Sequence, residues 1–548
     1  MALQNDSMNK QQTQKRILIA TVLSFAFFIA YDFLYLQPKQ ALVNEANAKN
    51  SLTLEKKKLL TQSSTNAPIT NFKNVSNNTP GINISSNNVV ATIKTLNNVI
   101  EIDNLGRISQ VTLSGTQYVT EDNKPIKLFD AGQLRPLEVR FSDRKINEEA
   151  FLTNIDVSAT NIDATNAISK LIITQKLSDT TLTKVMTFYP DGHYDIKAAA
   201  TNKAEFFITT GYRPNVMVDM YADHGALLAL NDDTLTIIED EDMDKNQELI
   251  GVNVASAFDR YYASVLYNYD ISMSVSIMKD LNDSPQIFIH AKDDILLHGY
   301  IGPKEHKILQ SLDDRLTSVI EYGWFTFIAQ PMFILLQFIH NYIGNWGWTI
   351  VFTTILIKLV LFPLSHKGMV SMNRLKELAP KVKALQEKYK GDKQKSSMHM
   401  MELYKKEGVN PMGGCLPVIL QIPVFFAIYR VLLNSIELKG APWMLWIDDL
   451  GVMDPYFILP ILMGITMFVQ QKITPNTMAD PMQQKLFQLL PVVFTIFFLW
   501  FPAGLTLYWF INNLFTIVQQ YYVNTIFTKA KVERHEKHLE EKTHYNKE

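Results

Sequence analysis

The chain has one cysteine, Cys415, in 548 residues. An intramolecular disulfide is therefore excluded, and so is a zinc or iron–sulfur centre built on several thiolates. Charged residues make up only 19%, with 52 Lys+Arg against 54 Asp+Glu. Catalytic signatures are missing as well. There is no H-E-x-x-H, no G-x-S-x-G, no Walker loop and no G-x-G-x-x-G after a strand. Metalloprotease, serine-hydrolase and nucleotide-driven chemistry thus have no support, and the expectation is a non-enzyme with neither metal nor cofactor.

What is present is unevenly spread. Residues 1–16 are polar and 17–36 are apolar, a long soluble stretch follows, and apolar runs return towards the C-terminus. Between Lys39 and Asn345 there are 27 Lys+Arg and 37 Asp+Glu, a balance of −10 that leaves +8 for the remainder. A bilayer crossing needs about 20 apolar residues. Six segments qualify: 17–36, 346–364, 416–436, 456–470, 486–501 and 505–527. The first competes with a cleaved signal peptide ending near Ala46-Asn47-Ala48, but its apolar core is too long and those alanines lie too far beyond it, so a retained anchor is expected. The fourth and fifth are short, which calls for tilt or a thinned bilayer. Segment 321–345 is interrupted by Gln330, Pro331, Gln337, His340 and Asn341 and is expected to lie as an amphipathic helix at the interface.

Loop charges set the orientation. Residues 365–410 carry 11 Lys+Arg and 5 Asp+Glu, whereas 437–454 carry Lys439 against Glu437, Asp448, Asp449 and Asp454. The basic loop belongs in the cytoplasm. Both termini (1–16 and the tail 528–548) are then cytoplasmic, and the acidic soluble region is outside. In that region, 37–88 reads as a linker, because Asn, Ser and Thr make up 17 of the 28 residues from Thr61 to Asn88. Residues 89–320 show alternating strands with turns at Asn97-Asn98, Asn104–Gly106 and Pro190-Asp191-Gly192, the pattern of an antiparallel β-sandwich. The acidic run from Glu239 to Asp244 reads as a solvated loop. In the cytoplasmic loop, Leu375, Leu378, Val382, Leu385 and Tyr389 make an apolar seam on a basic helix. Gly391-Asp392 breaks it, and Ser396 or Ser397 can cap a second helix with Met398, Met400, Met401 and Tyr404. This hairpin either fixes topology alone or docks an anionic partner such as RNA or lipid headgroups.

Lys358 sits inside the second span. It can snorkel to the headgroups, or it can face a polar cavity within the bundle. The cavity is favoured by Thr354 one turn earlier, Gln421 on the third span, and Tyr508, Asn512, Asn513, Gln519 and Gln520 on the sixth. Arg430 on the third span is a second candidate for the groove, with snorkelling outward as its alternative. Phe425, Met463, Phe497, Phe498 and Trp500 are read as packing or lipid contacts that would also suit a surface meeting many apolar segments.

The C-terminal part contains PLSHKGMVSM, LKELAPKVKALQEKY, NPMGGCLPVILQIPVFFAIYRVL, APWMLWIDDL and LWFPAGLTLYWFINN. These motifs closely resemble the YidC family of bacterial membrane protein insertases, in the Gram-negative form with a large periplasmic domain. The resemblance implies a polytopic α-helical membrane protein of six spans, with a five-helix insertase core over 346–527 and an all-β periplasmic sandwich. It implies an inner-membrane insertase and chaperone, acting alone or with the Sec translocon through a positively charged hydrophilic groove. The groove charge falls on Lys358, where the family's Gram-negative pattern has arginine, and its polar partners fall on Thr354 and Gln421. A family tyrosine is replaced by Trp509. The apolar slide falls on Phe425, Met463, Phe497 and Phe498. Implied partners are nascent membrane proteins, the Sec translocon, lipids, and the ribosome and targeting factors through the 365–410 hairpin, with the protein itself a monomer. Two rivals are a secondary transporter, which would need repeated halves, and an external sugar-binding sandwich, which would need clustered histidines and carboxylates. His193, His224, His290 and His298 are scattered along the chain.

Overall fold

Successive side chains of a strand point to opposite faces, so in Ser169–Lys176 Leu171 and Ile173 are buried in the core of a β-sandwich while Ile172 between them is exposed. The computed structural model describes residues 88–120, 122–216, 222–232, 234–243, 245–280, 282–389, 391–410, 416–474 and 481–545. The expected anchor 17–36, the segment 1–16, the linker up to residue 87 and Cys415 lie outside them.

Described residues form two compact units. One comprises the described residues from 88 to 323 together with Leu433–Lys439, and the other comprises the remaining described residues. The first contains a four-stranded sheet in the order Ile108–Leu113, Asn98–Asp103, Val89–Lys94, Asn161–Asp163. Its last pair is parallel, the one exception among the described strand pairs to the expected antiparallel pattern. The larger, thirteen-stranded sheet runs from Val139–Phe141 through Phe206–Thr209, Pro285–Ala291, Met273–Lys279, Gln247–Phe258, Tyr262–Tyr267, Asp294–Pro303, Tyr194–Ala200, Thr181–Phe188 and Ser169–Lys176 to Asp156–Val157. Gly225–Leu230 and Leu235–Glu239 extend from Gln247–Phe258. Two short helices, α1 (Arg144–Leu152) and α2 (His306–Leu312), accompany the sheets.

Burial in this unit includes charge. Arg107 bridges Asp103 at 2.8 Å and Glu138 at 3.0 Å, and Arg140 takes the second oxygen of Glu138. Lys184 donates to Gly106 O and Leu137 O, and burial lowers its ammonium from 10.5 to about 7. Asp240, expected in a solvated loop, is instead buried against Arg213 and His224 because it closes the strand end there. Residues 433–439, assigned by sequence partly to a span and partly to a loop, pack with the sandwich. Ile436 joins its core, Arg260 donates to Leu433 O, Asn434 to Glu321 O, and Lys439 to the Tyr262 hydroxyl.

The helical unit begins with α3 (Thr326–Ile343), closed by Gly344 in the left-handed conformation. The expected interfacial helix is apolar on two faces. Ala329, Phe333 and Leu336 are buried, while Phe327, Ile334, Phe338 and Tyr342 are exposed. Then come α4 (Trp346–Val360) and α5 (Phe362–Lys388), which meet at 64°. The helix over the expected second span, 346–364, thus ends at Val360, and the next helix begins at Phe362, ahead of the expected hairpin start at 365. Pro363 explains the break: its ring and missing N–H oppose continuation of α4 while suiting the first turn of α5. The hairpin's second helix, α6 (Lys393–Lys406), is capped by Asp392, which accepts from the Lys395 amide, and not by Ser396 or Ser397. Leu375, Leu378, Val382, Tyr404 and Val409 close the hairpin, leaving Met398 and Met401 exposed.

The later helices are α7 (Leu416–Asn434), α8 (Ile458–Ile473), α9 (Pro481–Phe497) and α10 (Ala503–Tyr545). The last runs through the expected tail, so no break occurs at 528. Among the described residues no single helix is long and apolar enough to cross a membrane, whereas α4 and α5 meet that test together as a bent pair. A Cβ at Gly464 would collide with Thr495 Oγ1, which lets α8 and α9 approach closely.

Candidate functional site

α10 packs against α4, α5 and α8, and it carries more of the buried polar side chains than any other described helix of this unit. Lys358, on the last turn of α4, is 6% exposed. Its side chain turns into the bundle, where Nζ donates to Thr516 Oγ1 of α10 at 2.9 Å. Of the two routes open to this lysine, the structure takes the inward one. Among the described residues no carboxylate pairs with it. The ammonium thus keeps donors for an incoming acceptor, in surroundings where an unmatched charge is costly.

Further polar contacts line up along α10. Gln421 of α7 donates to Asn512 Oδ1 at 2.5 Å, and Thr516 donates to Asn512 O. Gln520 donates to Asn524 Oδ1 at 2.8 Å, as does Asn373 of α5. Asn512, Thr516, Gln520 and Asn524 recur every fourth residue, so one ridge of α10 carries them all. On α4 and α10, buried polar atoms without a partner among the described residues include Thr353 Oγ1, Trp509 Nε1, Asn513 Nδ2 and both amide atoms of Gln519. Buried groups of this kind call for water or a polar ligand.

Expected site residues divide accordingly. Lys358, Gln421 and Asn512 belong to one network through Thr516. Thr354 is buried on α4, but its hydroxyl is turned back to Ile350 O. Tyr508 and Asn513 are buried on α10. Trp509 sits among aromatic rings, edge-on to Phe425 with centroids 4.6 Å apart. Arg430 is half-buried on α7. Of the expected apolar slide, Met463 (0% exposed) and Phe498 (2%) are interior packing, which corrects their reading as a contact surface in this conformation. Phe497 is exposed and Phe425 is half-buried. Sequence reasoning missed Thr516, Asn373 and Asn524, although the four-residue spacing from Asn512 through Gln520 pointed to two of them.

In the sandwich, His298 Nδ1 lies 2.6 Å from Asp195, Tyr189 donates to the same carboxylate, and Tyr189 stacks on His193. Two histidines scattered in sequence are thus brought together, each against a carboxylate and with no metal-ligand grouping among the described residues.

The 60Kd inner membrane protein family matches residues 338–531, and the YidC periplasmic domain family matches 90–335. Membrane protein insertase YidC of Campylobacter jejuni is 51% identical over 97% of this chain and 99% of its own length. The Wolinella succinogenes protein of the same name is 45% identical over 95% of this chain and 96% of its own length. That of Helicobacter pylori strain 26695 is 42% identical over 96% of this chain and 98% of its own length. A solved structure titled "Active YidC insertase crystal structure with the first transmembrane domain resolved" covers 80% of this chain and 95% of its own, at 16% identity and a TM-score of 0.35, too low to carry an argument. Matched by the two families from residue 90 to 531 and by these relatives along nearly its whole length, the chain belongs to the YidC family of membrane protein insertases, inner-membrane proteins with a largely β-sheet periplasmic domain.

Proposed function

We propose that the chain inserts and folds inner-membrane proteins by drawing the polar leading end of a substrate towards Lys358, between α4, α7 and α10. The observation that carries this reading is the placement of Lys358: buried, turned to a neutral hydroxyl, and without a carboxylate partner among the described residues. An acidic leading end would supply the missing countercharge. Unpartnered amides and a hydroxyl on α4 and α10 (Thr353, Asn513 and Gln519) would lower the cost of holding a hydrophilic segment partway across. Partition of the substrate's apolar helix into lipid then supplies the driving free energy. The exposed faces of α8 and α9, with Ile461, Ile465, Phe468, Val492, Ile496 and Phe497, suit lipid and a departing helix.

In this reading the chain crosses the membrane six times with both termini in the cytoplasm, and the short apolar helices sit in a thinned bilayer. The substrates are nascent membrane proteins. The basic α5–α6 hairpin faces the ribosome and targeting factors, the Sec translocon is an alternative partner, and the working unit is a monomer. No step requires a cofactor or bond-making chemistry.

Photocrosslinking tests this directly. Probes at Thr354 and Phe425 should meet a single-span nascent chain stalled on the ribosome, and silence at both would overturn the route. Lys358→Glu should impair substrates with acidic leading ends while Lys358→Arg should not. Equal insertion by Lys358→Glu and wild type, also in the Arg430→Leu background, would remove the charge from the mechanism.

A further inference from the structure

The bend between α4 and α5 is held against α10 on both sides. Before it, Lys358 bonds to Thr516. After it, Asn373 Nδ2 donates to Asn524 Oδ1 at 2.8 Å, and Glu377 pairs with Lys531 at 3.1 Å. The asparagine contact is the buried one. Asn373 and Gln520 are each nine-tenths or more buried, and a single oxygen of Asn524 accepts from both. Removing that acceptor strands two interior N–H donors, so the contact resists slippage far more than the solvent-facing ion pair does. The α4–α5 junction itself offers little resistance, because Leu361 and Pro363 already interrupt the helix at a 64° angle.

We infer that Asn373, acting through Asn524, is a positioning residue for Lys358: it fixes the direction of the hairpin's first helix on α10, and through the bend it fixes where the ammonium sits relative to Thr516. Asn373 meets α10 at Asn524, about two turns beyond Thr516. Its effect is carried by two helices pinned to the same ridge of a third. The inference rests on the proposed role of Lys358, and it gives the cytoplasmic hairpin a part in setting the groove as well as in docking partners.

The test uses the full-length protein in liposomes, with Cys415→Ser and spin labels at the exposed positions Lys383 and Lys529. The distance distribution should be narrow in the parent, broad in Asn373→Leu and Asn524→Leu, and narrow again in Asn524→Asp, which keeps the acceptor. The same variants without labels are assayed for insertion of a single-span substrate with an acidic or a neutralised leading end. Asn373→Leu should slow the acidic form by about tenfold, spare the neutral one, and add nothing to Lys358→Gln. An unchanged distance distribution in Asn373→Leu overturns the inference whatever the insertion result. A broadened one with equal losses for both substrates, or with no loss, makes the pair merely structural and also overturns it. If Lys358→Gln itself fails to distinguish the substrates, the charge role is what fails, and the positioning of Lys358 then stands or falls on the distances.

Discussion

Lys358 Nζ donates to Thr516 Oγ1 at 2.9 Å, and the Thr516 hydroxyl donates in turn to Asn512 O at 2.7 Å. Asn512 also receives the amide of Gln421. Two residues one turn apart on α10 thereby tie α4 and α7 to a single ridge, and the lysine is held by a neutral acceptor that leaves its charge uncompensated.

Thr516→Val keeps the shape and deletes that acceptor. Insertion of acidic-leading substrates should fall by about tenfold or more, from the loss of roughly 1.5 kcal/mol or more of hydrogen bonding to a charged group. Thr516→Ser should restore it. Protease protection of the translocated end provides the measurement, and a wild-type rate for the valine variant would mean that Thr516 does not hold the ammonium.

Gly464 is where α8 and α9 touch. Gly464→Ala pushes a methyl into Thr495 Oγ1 and should cost about 1–3 kcal/mol through overpacking. Thermal unfolding in detergent should show a lowered midpoint, largely recovered by Thr495→Ala. Failure of the second substitution to rescue the first would place the strain elsewhere.

Glu437 lies in the segment that packs with the sandwich, accepting from the His306 amide, and burial lifts its carboxyl from 4.5 to about 7. Between these two values the unfolded chain ionises while the folded protein stays protonated, so this group's contribution to stability is complete below about 4.5 and declines as pH rises towards 7. Glu437→Gln should flatten that decline and stabilise the protein above pH 7 by on the order of 2 kcal/mol. Denaturation midpoints recorded at pH 4.5, 6 and 8 decide it, and parallel curves for the two proteins would refute the buried carboxyl.

Arg107 neutralises Asp103 and shares Glu138 with Arg140 inside the sandwich. Arg107→Met leaves a buried carboxylate exposed to desolvation without its partner and should cost about 3–5 kcal/mol. Chemical denaturation of the full-length protein should show an early transition for the β unit. A shift below about 1 kcal/mol would mean that water reaches the cluster.

The fold was legible where one period dominates. The β-branched and apolar run around Leu171 and Ile173, and the turns at Asn104–Gly106 and Pro190-Asp191-Gly192, lead to the strands observed. Helix ends were read less well. Asp392 outcompetes Ser396 and Ser397 as a cap because it stands directly after the glycine break, and Pro363 ends α4 earlier than hydropathy suggested. Met463 and Phe498 show the limit for single residues: hydrophobicity marks them as apolar surface or core alike, and only their neighbours bury them.

The sequence by itself determined the classes of segment, the charge asymmetry of the loops, the family, and the presence of a lysine within an apolar run, since these depend on composition and local order along the chain. The tertiary structure decided that this lysine turns inward to Thr516, that Asn373 meets Asn524 across more than a hundred residues, and that residues 433–439 pack with the sandwich. Such pairings depend on how helices rotate and approach one another, and that is fixed by side-chain packing over the whole unit rather than by the spacing of residues within one segment.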